Sequence, residues 1–241
     1  MRNAILKRAI VLLLIFIQYA LAGEIFAEDS REIKKKYYPN GQIMSEMSVK
    51  NNKLDGISRD YYPSGELQAE MSYKNGLLNG IGKAYYKSGL LMGESNYEKG
   101  KMSGEYKQYY ENGQLMETGN YINGNHEGAA CMYYETGQLQ ALSNYKKGRL
   151  NGTYKQYYEN GQLMFEQIFE NHKLDGPFET YYDNGQLASQ GTHKNDKLIG
   201  HYKEYDEKGN LVKEEYYKKG VSINRENSIN IPLFTSSPAP K

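Results

Sequence analysis

Two adjacent tyrosines recur every 24 residues, and that spacing constrains the fold more than any local motif. Tyr-Tyr begins at Tyr37, Tyr61, Tyr85, Tyr109, Tyr133, Tyr157 and Tyr181, and Tyr205-Asp206 is a weaker eighth copy. No insertion or deletion interrupts the period. Self-similarity of this kind marks a repeat array, in which each unit buries surface mainly against its neighbours. Let the first Tyr of each copy be position 0. Position 4 is then Gly in all eight copies, from Gly41 to Gly209, and position 6 is Leu or Ile, from Ile43 to Leu211. Position 19 is Gly in the seven copies that reach it, from Gly56 to Gly200. Position 12 is mostly aromatic, with Val49 and His193 as departures.

Each copy carries two turn signals. One lies at positions 3 and 4, as in Asn112-Gly113, and the other at positions 14 and 15, as in Asn75-Gly76. Asn-Gly between apolar runs favours a two-residue type I′ hairpin turn, because both central residues need φ > 0. The intervening segments have strand length, and no helical period appears in them. The expected fold is all-β: an elongated, single-layer antiparallel β-hairpin array, or meander, of 24-residue repeats.

Two-residue loops at both turns set a register by counting. Position 22 should face position 9 of the next copy, which opposes Arg59 to Glu70, Lys83 to Glu94, Lys155 to Glu166 and Lys203 to Glu214. Cys131 and Leu142, both apolar, share another such pairing. Opposed charges of this kind stabilise a sheet by roughly 0.2–1 kcal/mol each. The same counting puts Tyr at position 0 opposite position 7, so that Tyr109 meets Met116 and Tyr157 meets Met164. Alternation along the strands then defines two faces. Face A collects positions 1, 6, 12, 17 and 21, rich in Tyr and Leu. Face B collects positions 0, 7, 9, 20 and 22.

The segments outside the repeats have their own character. Arg2, Lys7 and Arg8 precede the apolar run Ala9–Ile17, and Ala20-Leu21-Ala22 is a small-residue cleavage motif. Residues 1–22 are therefore expected to be a signal peptide, with a second candidate cut after Ala27, and the protein to be exported to periplasm, cell envelope or medium. Residues 23–36 form a charged linker, 37–221 the eight repeats, and 222–241 a disordered tail. Loss of the three leader charges leaves 27 basic against 29 acidic residues, a formal charge of −2. That balance argues against nucleic acid as a partner. The single Cys131 excludes an internal disulfide.

Side chains suited to catalysis or metal binding do not converge. His126, His172, His193 and His201 fall at four different positions, and Cys131 lies on the face opposite His126. The carboxylates at position 9 mostly face Lys or Arg. No catalytic, cofactor or metal site is expected. The candidate partner-binding residues are the face-A tyrosines: Tyr62, Tyr86, Tyr110, Tyr134, Tyr158 and Tyr182 at position 1, and Tyr97, Tyr121 and Tyr145 at position 12. Rigid tyrosines bind at low entropic cost.

The unit Gly-x-Tyr-Lys-x-Tyr-Tyr-x-Asn-Gly-Gln-Leu, followed by Glu, Tyr-Lys-x-Gly and Leu-x-Gly, closely resembles the MORN-repeat variant, the bacterial relative of the membrane occupation and recognition nexus repeat. The resemblance spans about Tyr37 to Gly220. It implies a hairpin array without enzymatic activity, acting in protein scaffolding or at a lipid surface. Some bacterial chains with these repeats are labelled as the antitoxin half of a toxin–antitoxin pair, so the alternative is an antitoxin or immunity protein that docks and neutralises a toxin. Tyr takes the aromatic places here, and the Trp of the eukaryotic repeat is absent. The expected function is a non-enzymatic exported scaffold that binds a protein, or else a membrane or envelope surface, through the Tyr/Leu face.

Overall fold

The computed structural model describes residues 31–223. The expected signal peptide at 1–22 and nearly all of the expected tail at 222–241 lie outside the described residues. The chain forms two compact units, Met1–Met102 and Ser103–Lys241. Among the described residues there is no helix, and each unit is an antiparallel β-meander.

The turn at positions 14 and 15 is the expected two-residue hairpin. Asn75 and Gly76 both have positive φ, 51° and 86°. Lys74 pairs with Leu77 and Tyr73 with Leu78 across it.

The corner at positions 3 and 4 differs. Gly113 has φ 86°, but Asn112 is not left-handed. The Gly113 N–H donates to the Tyr110 carbonyl at 2.9 Å, and the Tyr110 N–H to the Gln114 carbonyl at 2.8 Å. The loop therefore has three residues, with Gly at its left-handed end. Tyr109 pairs with Leu115 and Gln108 with Glu117, which makes Met116 a β-bulge. The longer loop and the bulge cancel, so the charge register beyond them is the expected one. Near the corner the expected pairing is corrected: Tyr109 and Tyr157 face Leu115 and Leu163, not Met116 and Met164. Position 6 thus shares face B with the first Tyr. Position 7 moves to face A, where Met44, Gln68 and Met92 line a groove with Tyr38 and Tyr62.

A second bulge surrounds the Gly at position 19. Gly80 and Gly152 have φ of 109° and 106°, a region an L-residue rarely enters. In the first unit Tyr73 pairs with Leu78 near the turn, but Met71 pairs with Gly82 beyond it. Two extra residues are looped out at the Gly. Position 9 consequently faces a position 22 on both sides. Lys35, Glu46, Arg59, Glu70, Lys83 and Glu94 form one alternating row across the first unit. Ion pairs in it are Lys35–Glu46 at 2.8 Å, Arg59–Glu70 at 2.8 Å and Lys83–Glu94 at 4.0 Å. In the second unit Lys155–Glu166 and Lys203–Glu214 close at 3.0 and 3.6 Å. The first strand, Glu32–Tyr37, lies inside the segment assigned to the charged linker. It is exposed throughout, but Lys35 reaches Glu46, and charge on such a strand suits a sheet edge.

Adjacent repeats are tied at both ends. At the corners the second Tyr donates its hydroxyl to the carbonyl of the next copy's first Tyr, for example Tyr134 to Tyr157 at 2.7 Å. Asn112 Nδ2 donates to the Glu135 carbonyl at 3.0 Å, and Asn112 Oδ1 accepts from the Gln114 N–H at 2.8 Å. At the opposite turns six position-15 N–H groups reach back one repeat, as Gly148 does to the His126 carbonyl at 2.9 Å.

Two expectations follow for stability. Gly176→Ala and Gly128→Ala both place Ala at a left-handed φ, which costs about 1–2 kcal/mol. Only at Gly176 would the new Cβ also meet Ile168 Cβ at 2.8 Å, so its urea midpoint should fall further. Equal losses would contradict this bulge packing. Lys155→Glu should lower the melting temperature. Adding Glu166→Lys should recover the loss, since a Lys at 166 would oppose both the new carboxylate at 155 and Glu179.

Candidate functional site

A single-layer meander buries little, and among the described residues no side chain is fully buried. The buried apolar residues are Tyr106, Ala130, Ala141 and Phe178, all on face A of the second unit. Their packing follows one rule: a large side chain covers a small one on the neighbouring strand. Tyr106 pairs with Gly119 and Phe178 with Gly191. A Cβ at either Gly would lie 2.8 Å from the ring above it. In the first unit Met71 covers Gly82 in the same way.

The rule is not general, since Tyr154 pairs with Gln167 and Tyr202 with Glu215. Position 21 is Tyr106, Tyr154, Phe178 and Tyr202 in the second unit, but Ala130 stands among them. Ala130 pairs with Ser143, which is also small. No ring covers that pair, and a notch of about 280 Å³ opens there. Ala130, Ala141 and Ser143 line it with Tyr145, Tyr154, Phe169 and Glu117.

Two aromatic clusters flank the notch. On one side Tyr106 packs on Tyr121 with centroids 5.1 Å apart, Tyr121 on His126 at 4.0 Å and His126 on Tyr145 at 4.8 Å. On the other side Tyr154 contacts Phe165 at 5.6 Å and Phe169 at 6.1 Å. Glu117 brings a carboxylate onto this face and accepts the Tyr106 hydroxyl at 2.5 Å. Burial first, and then that bond, raise the Tyr106 phenol far above its ordinary pKa. Burial lowers the pKa of His126, whose Nε2 meets the Tyr121 hydroxyl at 2.5 Å. His193, stacked on Phe178 at 4.6 Å, is lowered for the same reason.

The expected binding residues divide between two places. Tyr62, Tyr110, Tyr134, Tyr158 and Tyr182 sit at the corners and spend their hydroxyls on the next corner's carbonyl. Tyr86 holds the same corner geometry, its carbonyl accepting from the Gly89 N–H at 2.9 Å. Tyr97 lies over Gly82. Tyr121 and Tyr145 belong to the cluster beside the notch. Of the nine, Tyr145 lines the notch itself. Glu117, Ala130 and Ser143 were missed because each looks like ordinary variation within its column. The readable signal was their coincidence, a carboxylate in the mostly small position-8 column beside a small residue among the second unit's rings at position 21.

The family model described as MORN repeat variant matches residues 33–51, 54–75, 102–123, 127–147, 150–171, 174–195 and 198–219. Together these cover more than half of the chain. The copy at Tyr85 falls between two matches, yet it keeps the pairings Gly80 to Tyr97 and Lys83 to Glu94. No curated protein matches the chain. Similar solved structures include the GtfA/B complex bound to UDP and GlcNAc, at 15% identity over 61% of this chain and 28% of that one, TM-score 0.24. Another is TcdB2-TccC3-Cdc42, at 12% identity over 78% of this chain and 14% of that one, TM-score 0.18. A third is a protein of unknown function from Bacteroides fragilis, at 10% identity over 79% of this chain and 94% of that one, TM-score 0.11. The chain thus spans a minor share of the first two. TM-scores this low establish no common architecture.

The histidines set a pH dependence. A His whose folded pKa lies below its unfolded value takes up a proton more readily when unfolded, so stability falls as pH drops through the unfolded value of about 6.5. Melting temperature should therefore decline between pH 7.5 and 5.5. His126→Phe with His193→Phe should flatten that slope, and an unchanged slope would contradict the assignment. Tyr106→Phe, which leaves half-buried Glu117 without its donor, should cost about 1.5–3 kcal/mol in a urea melt.

Proposed function

Because the chain belongs to the MORN repeat variant family, we propose that it is a non-enzymatic, exported scaffold that holds another protein on the aromatic face of its second unit. The observation that carries this reading is the notch. It lies where Ala130 takes the place of a ring in the second unit's position-21 row, and half-buried rings surround it. Aromatic side chains of this kind anchor protein interfaces, because they offer large contact areas at small entropic cost. The absence of enzymatic activity is supported by the site's polar inventory. Glu117 is already engaged by Tyr106, and acid–base chemistry needs partners placed to exchange protons with a substrate. The export reading rests on Arg2, Lys7 and Arg8 ahead of an apolar run and Ala20-Leu21-Ala22. A protein partner is favoured over an anionic lipid surface by the carboxylate on this face and by the formal charge of −2 once residues 1–22 are removed.

Affinity capture from an envelope extract tests the reading. Ala130→Tyr should fill the notch and abolish capture of the partner that the native chain retains. Lys203→Glu, on the opposite face, should leave capture intact. Equal capture by all three proteins would overturn the proposal.

A further inference from the structure

Glu117, at position 8, is unlike the position-9 carboxylates of the opposite face. Glu70, Glu94, Glu166 and Glu214 each meet a Lys or Arg on the neighbouring strand. Glu117 pairs instead with Gln108 on one side and Met132 on the other. Among the described residues its hydrogen-bond partner is the Tyr106 hydroxyl, held through Oε1, and no salt bridge reaches it. The nearby His126 is kept towards its neutral form by burial. A half-buried negative charge without a counter-ion is electrostatically incomplete. It borders an open notch walled by Tyr145, Tyr154 and Phe169.

A carboxylate beside aromatic faces is the setting that recognises an organic cation. Guanidinium suits it best. It is planar, stacks on aromatic rings, sheds water more readily than ammonium and offers several donors to a carboxylate. We propose that the notch is a socket for one arginine side chain of the docked protein, paired with the Glu117 carboxylate and lying against the rings of Tyr145, Tyr154 and Phe169. This rests on the protein-docking reading and gives the partner's contact residue a chemical identity. Ala130 and Ser143 act as its floor, because a ring at either position would occupy the space. Charge complementarity selects the occupant, since a neutral side chain of the same shape leaves Glu117 unpaired.

Methyl NMR on the full mature chain with labelled alanines provides the test, because Ala130 and Ala141 line the notch. The probe is Nα-acetyl-arginine methylamide. Its citrulline counterpart serves as a neutral isostere, and tetramethylammonium as a stand-in for a lipid headgroup. The arginine probe should shift both methyls. Affinity should drop at least tenfold for the citrulline probe and for Glu117→Gln. Three results would overturn the proposal: equal binding of citrulline, tighter binding of tetramethylammonium than of arginine, or no shift at Ala130 and Ala141. A fourth would be shifts of the same methyls on Arg225→Gln with no probe added, which would assign the notch to the chain's own tail. Partner capture separates this idea from the one beneath it. Capture lost in Ala130→Tyr but undiminished in Glu117→Gln sinks the arginine socket and leaves the docking surface standing. Capture indifferent to both sinks the docking surface itself.

Discussion

Hydrogen bonds from one corner to the next tie neighbouring repeats together. The Tyr hydroxyl at position 1 satisfies a carbonyl 23 residues later, and the Asn at position 3 does the same for a second one. These bonds stand in for what a two-layer protein obtains from a core. A single sheet has few places to hide apolar surface, and here only four apolar residues are buried among those described. Stability must then be assembled from nearest-neighbour terms: corner bonds, turn bonds, cross-strand ion pairs and rings laid over glycines. Each term is small, about 0.2–1.5 kcal/mol, and each recurs along the repeats.

The same economy explains where variation is tolerated. Positions 1 and 4 of the corner are locked by partners in the next copy and by backbone geometry, as at Gly113, so these two columns barely change. At the buried centre of face A several pairs set a large side chain over a small one. Such pairs are Tyr106 over Gly119, Met71 over Gly82 and Phe178 over Gly191. A scaffold packed this way can open a notch by setting two small residues side by side, at modest cost to the fold. Ala130 and Ser143 do so.

The period, the all-β class and the Lys155–Glu166 class of pairing were legible from counting. The charge register came through because two departures offset each other: a three-residue corner in place of two, and a bulge at position 7. Asn112-Gly113 and Asn75-Gly76 are the same dipeptide, yet only the second puts both residues at positive φ. The Asp206 corner keeps the same three-residue loop without a Tyr to tie it onward, so the difference lies in each corner's own backbone bonds, which the dipeptide does not report. The looped-out Gly at position 19 was equally hidden. A conserved spacing of Gly is compatible with close packing or with left-handed backbone, and Gly152 at φ 106° shows which holds. That bulge turns isolated ion pairs into the row from Lys35 to Glu94. The notch was the least legible feature, since it is defined by what Ala130 lacks rather than by a residue that announces chemistry.

The corner bonds run one way, from each copy to the one that follows, and the eighth copy has no Tyr to continue them. In its place Asp206 folds back on its own turn and accepts from the N–H of Lys208 and of Asn210. A stack built this way has grammar. A unit of 24 residues inserted before Tyr205 would find a donor behind it and an acceptor ahead, and could be taken up without loss. A unit appended after the Asp206 corner would arrive at a carboxylate and be refused its tie. Such a chain can lengthen from within, and its final corner acts as a full stop.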